Sequence, residues 1–273
     1  MKRKLSNFKN RIRVFLACGL YLAAGMLPQR LRKSFFGKTR VLVFHHIDDA
    51  ARFRAIVLAL KKRYNFISFE QYLRHEKAFD RINVIIALDD GYRSWHQNAL
   101  PVFQEFKIKP VLFVNSDFIG KSELEAENYC RNSITTWPEA SLNWTELMEL
   151  ASAGSEIGGH TRGHINLSTP SNSAQMLDSI SSDRRVIENK LKQNVRIFAY
   201  PFGLYSKHCV EVVAQAQYEY AFTSDSGFLE DSPGPLLLKR SNIGLRPPLV
   251  VCAMMEGWPD RISAIVRVLK GNG

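Results

Sequence analysis

Two carboxylates, Asp89 and Asp90, stand side by side at the end of the apolar run "NVIIAL", directly before a glycine. Alone, a DDG tripeptide is ordinary turn chemistry, since both residue types favour chain reversals. Its meaning changes beside a second segment, "SEIGGHTRGH", where His160 and His164 lie four apart after a Gly-Gly pair that permits close backbone approach. On a helical turn or in a tight loop, that spacing aims two imidazoles at a common point. Two histidines and one carboxylate give a divalent metal three ligands and leave positions open for water and substrate, the catalytic rather than the structural arrangement for zinc. The remaining carboxylate is then free to act as a base, so one Asp binds the metal and its neighbour takes a proton from water. The same donor set also serves iron(II) oxygenases, but a DDG ahead of an HxxxH fits them poorly.

These residues need elements to hold them. Apolar segments at 41–47, 83–88, 110–114, 155–159, 195–200, 220–223 and 235–243 read as strands, and helical spacing occupies 51–63, 94–106, 143–153 and 172–192. Asn143 and Ser171 are placed as N-caps. Strand and helix in alternation imply a parallel sheet, and about seven such units predict an α/β barrel closed on itself. Chemistry in parallel barrels gathers at the C-terminal ends of the strands, where Asp89, Asp90 and His160 all fall. The chain has 273 residues, 45% of them hydrophobic, enough for a substantial single core. The segment from Lys121 to Ala140 reads as a long polar connection of the kind that carries substrate contacts.

The net charge of +11 is localised. Residues 1–40 hold eleven Lys and Arg and no acid, which leaves 26 basic and 26 acidic residues in the remainder. The globular part is therefore neutral, and no nucleic-acid partner is expected. Within the arm, the run from Val14 to Leu27 would reach roughly 21 Å as a helix, short of the ~30 Å hydrocarbon core. Leu5, Phe8, Ile12, Phe15, Gly19, Leu22 and Met26 recur at three- and four-residue steps, the pattern of a basic amphipathic helix on an anionic membrane surface. The expected organisation is thus a membrane-surface arm over 1–40 and a catalytic domain over 41–273. The basic "RLRK" after the apolar run favours the cytoplasmic face; the alternative is a signal peptide and export to the periplasm or cell surface. The four cysteines are scattered, with no CxxC pair, and say nothing about compartment.

Taken together, "ALDDGY", "GGHTRGH" and "FAYPFG", in this order, resemble the first three motifs of the polysaccharide deacetylase family, carbohydrate esterase family 4, over essentially residues 41–245. The resemblance implies a distorted (β/α) barrel. It also implies a divalent metal, most often zinc, on Asp90, His160 and His164, with Asp89 as general base. A backbone N–H within Tyr200 to Gly203 would face the oxyanion, with Tyr200 and Phe202 both near that position. Trp144 falls where the family has an aromatic lining the acetyl pocket.

Two features depart from the pattern. The third motif has Ala199 where relatives carry an Arg that orients the base, and the late His is absent, "LLLKRSNIGL" presenting Lys239 and Arg240 instead. "VLVFHHID" is similar to the "YH" motif of the branch containing poly-β-1,6-N-acetylglucosamine de-N-acetylases, which assigns the general acid to His45. A regular strand would turn His46 to the opposite side. The implied activity is metal-dependent removal of an acetyl group from an N-acetylated amino sugar, in a bacterial envelope or exopolysaccharide glycan or its lipid-linked precursor. The alternatives are O-deacetylation and a catalytically impaired relative that binds glycan.

Overall fold

The computed structural model describes Gly19 and residues 35–136, 138–168 and 173–257. The basic arm up to residue 34, the helix cap expected at Ser171 and Trp137 in the polar connection lie outside the described residues.

The chain alternates as expected. Strand β1 (Thr39–Phe44) leads to α1 (Ala50–Lys61), the short β2 (Asn65–Phe66) and α2 (Phe69–Leu73). Next come β3 (Asn83–Asp90), a π-helical turn at Trp95–Ala99 running into α3 (Leu100–Phe106), and β4 (Val111–Val114). The connection after β4 carries α4 (Glu123–Tyr129) and a second π-helical turn at Cys130–Ile134, so the segment read as a polar loop is largely helical. Then follow α5 (Trp144–Ser152), β5 (Glu156–Gly159), α6 (Ser173–Leu191), β6 (Ile197–Ala199), α7 (Lys207–Gln215), β7 (Tyr220–Phe222), β8 (Ser241–Asn242) and α8 (Pro248–Met255). Helix starts follow side-chain chemistry: Asn143 accepts from the Glu146 amide while the Glu146 carboxylate accepts from the Asn143 amide, a reciprocal cap.

All paired strands are parallel, in the order β7-β6-β5-β4-β3-β1-β8, with β2 joining the start of β3. The strand expected over 235–243 is split. Its first half bonds β7, where Leu238 N–H donates to Ala221 O and Thr223 N–H to Leu238 O, and its second half bonds β1, where Ile243 N–H donates to Val43 O. One distorted segment thereby bridges the two ends of the sheet and makes the barrel irregular. The two-residue period of the strands sorts their side chains into two cores. Val41, Val43, Ile85, Ala87, Phe113 and Phe222 belong to the cluster filling the barrel. The alternate residues Leu42, Phe44, Val84, Ile86 and Leu88 pack outward under the helices. In this period Asp89 follows Ile85 and Ala87 on the inner face, so it caps the stack of apolar layers. No helix among the described residues is long and apolar enough to cross a membrane.

Candidate active site

At the C-terminal mouth of the barrel lies a cleft of about 610 Å³ whose lining includes His45, His46, Asp89, Asp90, His160 and His164. Asp90, His160 and His164 are buried, and one ligand atom from each lies within 4.8 Å of the others. His160 Nε2 is 3.7 Å and His164 Nε2 3.4 Å from Asp90 Oδ1. The opposite ring nitrogens face carbonyls: His160 Nδ1 lies 2.7 Å from Ala199 O and His164 Nδ1 3.1 Å from Ser133 O. A carbonyl only accepts, so both Nδ1 atoms carry the proton and both Nε2 lone pairs face Asp90. Neither Asp90 oxygen has a hydrogen-bond partner, although both are buried. A buried carboxylate left without donors is unfavourable unless a cation completes it. The donor set therefore fits a divalent metal, with Asp90, His160 and His164 holding it.

The electrostatics of the two aspartates diverge. Burial would push Asp89 up, but the Arg240 guanidinium, donating from Nη1 to Asp89 Oδ1 at 2.7 Å, holds it below the ordinary carboxylate range. Asp90 has no such partner. Burial, reinforced by the Asp89 charge and only partly offset by His45, the nearby Tyr92 hydroxyl and Arg240, pushes it up to about 6. Burial likewise takes His160 down to about 3 and lowers His164, so both are neutral near pH 7, the form that binds metals.

Strained backbone and missing side chains make this geometry possible. Asp90, Thr161, His164 and Phe202 all have positive φ, at 91°, 63°, 53° and 58°. Such conformations are unfavourable for non-glycine residues and persist where surrounding contacts enforce them. The glycine pair has a steric reason at each position. A Cβ on Gly158 would meet Ile197 O at 2.8 Å, and one on Gly159 would collide with the Tyr218 hydroxyl.

Several expectations are corrected or narrowed. β1 ends at Phe44, so His45 and His46 leave the strand's alternation and both line the cleft, contrary to the expectation that only one would face it. Their segment is pinned by Trp95 Nε1 donating to His45 O and Asn98 Nδ2 to Ile47 O, each at 2.6 Å. Tyr200 is not placed to hold an oxyanion. Its N–H donates to Phe222 O at 3.1 Å and its hydroxyl to Leu236 O at 3.1 Å. Pro201 has no N–H and the Gly203 amide donates to Tyr200 O, which leaves the Phe202 amide as the donor in this turn. The Phe202 ring, 42% exposed, stands at the mouth with its centroid 4.4 Å from that of His164. Trp144 does not line the cleft; it starts α5 beside Gly120 with Lys190 Nζ 5.7 Å from its ring.

Arg240 is the residue that sequence reasoning passed over. In the sequence it only occupies a place where a His is missing, yet it sits where the closing segment crosses from β7 to β1. There Nε donates to Thr223 O at 2.6 Å and the guanidinium lies 5.3 Å from the Phe113 ring centroid. The available signal was a basic residue inside an otherwise apolar strand, which needs a buried acid as partner.

A parallel α/β barrel with a buried Asp-His-His cluster at its mouth defines the class of protein. The chain belongs to the polysaccharide deacetylase family, whose model matches residues 76–221. It is 24% identical over 162 residues to YxkH of Bacillus subtilis (strain 168), which its name places among polysaccharide deacetylases, covering 59% of this chain and 51% of that one. The match thus spans about half the length of that relative. Among solved structures, the fold resembles the Streptococcus pyogenes deacetylase PplD in complex with acetate (TM-score 0.67, 19% identity, 80% of this chain and 98% of the other). It also resembles IcaB from Ammonifex degensii (TM-score 0.66, 18% identity, 81% and 97%).

Two predictions follow from the electrostatics. In the metal-free protein the folded Asp90 binds its proton up to about pH 6, so this residue favours the fold at low pH and opposes it as pH rises through 6. Zinc or cobalt should therefore raise the melting temperature more at pH 7.5 than at pH 5.5, and Asp90→Asn should abolish the rise in thermal denaturation. Arg240→Ala strands Asp89 in the interior and should destabilise the protein by about 3–5 kcal/mol at neutral pH. The lowered pKa of Asp89 stabilises the native state above the unfolded value and this contribution fades in acid, so urea unfolding should show the deficit narrowing as pH falls. A deficit constant with pH would mean that Arg240 matters for packing alone.

Proposed function

We propose that the protein is a metal-dependent deacetylase that removes the acetyl group from an N-acetylated amino sugar, in an envelope or exopolysaccharide glycan or its lipid-linked precursor. The observation that carries this reading is the pair of adjacent carboxylates in opposite states, Asp89 held ionised by Arg240 and Asp90 without a donor facing two neutral imidazoles. A divalent metal on Asp90, His160 and His164 supplies Lewis acidity, lowering the pKa of water and polarising the acetamide carbonyl.

The chain's own residues do the rest. Asp89 accepts a proton from the attacking water, and its low pKa keeps it in the receiving form throughout the neutral range. The Phe202 amide donates to the oxyanion as charge moves onto the carbonyl oxygen. His45, on the wall of the same cleft and within electrostatic reach of both aspartates, protonates the departing amine. The absence of any His after His208 leaves this acid to the first strand's end, in keeping with the early-histidine branch.

The basic arm over residues 1–40 suits a substrate held at a bilayer, through electrostatic attraction to anionic lipid on the cytoplasmic face. Replacing the Lys and Arg residues between Lys2 and Lys33 by Gln, and sparing Lys38 and Arg40, which pack in the domain, should shift the full-length protein from the membrane to the soluble fraction; unchanged fractionation removes the anchor.

Acetate release from short N-acetylglucosamine oligomers tests the chemistry. The zinc- or cobalt-loaded full-length protein should release acetate, with losses of at least about 100-fold in Asp89→Asn and His45→Ala. Full activity in His45→Ala relocates the acid. No release by wild type, together with binding of the metal-loaded protein to a glycan array, favours a binding relative.

A further inference from the structure

Behind the metal ligands, His160 is gripped by a second layer of buried polar groups that the reaction does not use. Its N–H donates to Asp183 Oδ2 at 3.0 Å, and its carbonyl accepts from Asn115 Nδ2 at 2.7 Å. The same Asn115 nitrogen reaches Thr161 O at 3.1 Å. Asp183 comes from α6, outside the barrel, and is 0% exposed. Its other oxygen, Oδ1, accepts from Ser116 N–H at 2.8 Å. No Lys or Arg among the described residues forms an ion pair with it, so a carboxylate is kept in the interior for two backbone amides.

The place of those amides explains the arrangement. The β4–β5 ladder ends at the pair Val114 and Gly159, and Ser116 and His160 lie just beyond it, where the two chains would otherwise diverge. Asp183 spans the gap with one oxygen on each chain. Gly159 makes the approach possible, because a Cβ there would lie 3.0 Å from Asp183 Oδ2. Only a carboxylate suits the position, since it presents an acceptor to each of two N–H donors. An amide presents one acceptor and one donor, and so must oppose one amide with its own N–H.

We propose that Asp183, with Asn115, is a positioning residue for the metal site: it staples the open ends of β4 and β5 so that the His160 imidazole meets Asp90 and His164. The carboxylate does not touch metal or substrate and acts only through the His160 backbone. This rests on reading Asp90, His160 and His164 as metal ligands, and the test separates the two.

Cobalt(II) is titrated into the full-length metal-free protein, following affinity and the visible absorption of the bound ion. The set is wild type, Asp90→Asn, Asp183→Asn, Asn115→Ala and Ile187→Val, the last removing a methyl group from the buried face of α6 one turn from Asp183. Asp183→Asn should weaken cobalt binding by about 10- to 100-fold and alter the absorption, whereas Ile187→Val lowers stability but leaves both unchanged. If Asp183→Asn fails to fold, Asn115→Ala is read in its place, with weakened binding and changed absorption again expected. Wild-type affinity and spectrum in the folded Asp183 variant, or in Asn115→Ala as its substitute, overturn the proposal alone. Wild-type binding no tighter than that of Asp90→Asn overturns the metal reading and the proposal with it.

Discussion

The buried ion pair between Asp89 and Arg240 is the interaction on which the site depends. The barrel interior is apolar until its last layer, where an inward-facing carboxylate and an inward-facing guanidinium close the stack above Phe113. A charged group in such a place is strongly unfavourable alone and acceptable only with its counter-charge and further hydrogen bonds. Arg240 has both, through Asp89 and Thr223 O. The pairing removes one aspartate from any role as a metal ligand by engaging it elsewhere, and its neighbour, one residue on and turned by a positive φ, is left without donors. Two chemically identical side chains are thereby given opposite environments, one ion-paired and one without a counter-charge. Environments that push neighbouring titratable groups apart are how one site accommodates two roles.

Rigidity around the pair comes from side chains anchored on backbone carbonyls. The carbonyls of Ala199 and Ser133 set the imidazole tautomers, the Trp95 indole and Asn98 amide pin the segment carrying His45, and Gly159 lets α6 close on the sheet. Four residues at or beside the site hold positive-φ backbone conformations, and the packed sheet beneath offsets that strain.

Much of this was legible in the sequence. The strand and helix alternation follows from periodicity, and the Asp90, His160 and His164 grouping from residue types at strand ends, because both depend on local pattern. What was not legible depends on tertiary path. The splitting of 235–243 between β7 and β1 cannot be read from an apolar run, and with it went the meaning of Arg240. The exit of β1 at Phe44 likewise brought His46 to the cleft against strict alternation. The choice between Tyr200 and Phe202 turned on which amide the sheet consumes, a matter of hydrogen-bond accounting. Trp144 was placed by motif position alone, and packing took it elsewhere.

The closing segment has a further consequence for how the molecule comes into being. The matched family region, 76–221, contains both aspartates, both ligand histidines and Phe202, but neither His45 nor Arg240. Those two residues arrive from opposite ends of the domain: pairing of β1 with β3 brings His45 beside Asp89, whereas Arg240 meets Asp89 only when the segment after β7 has been laid against β1. During synthesis β1 finds one neighbour, β3, early, but its other neighbour, β8, follows nearly 200 residues after it, and until then Asp89 lacks its counter-charge. An incomplete chain therefore lacks the counter-charge that keeps Asp89 ionised in a closed interior, and the electrostatics of the cleft belong only to the finished barrel.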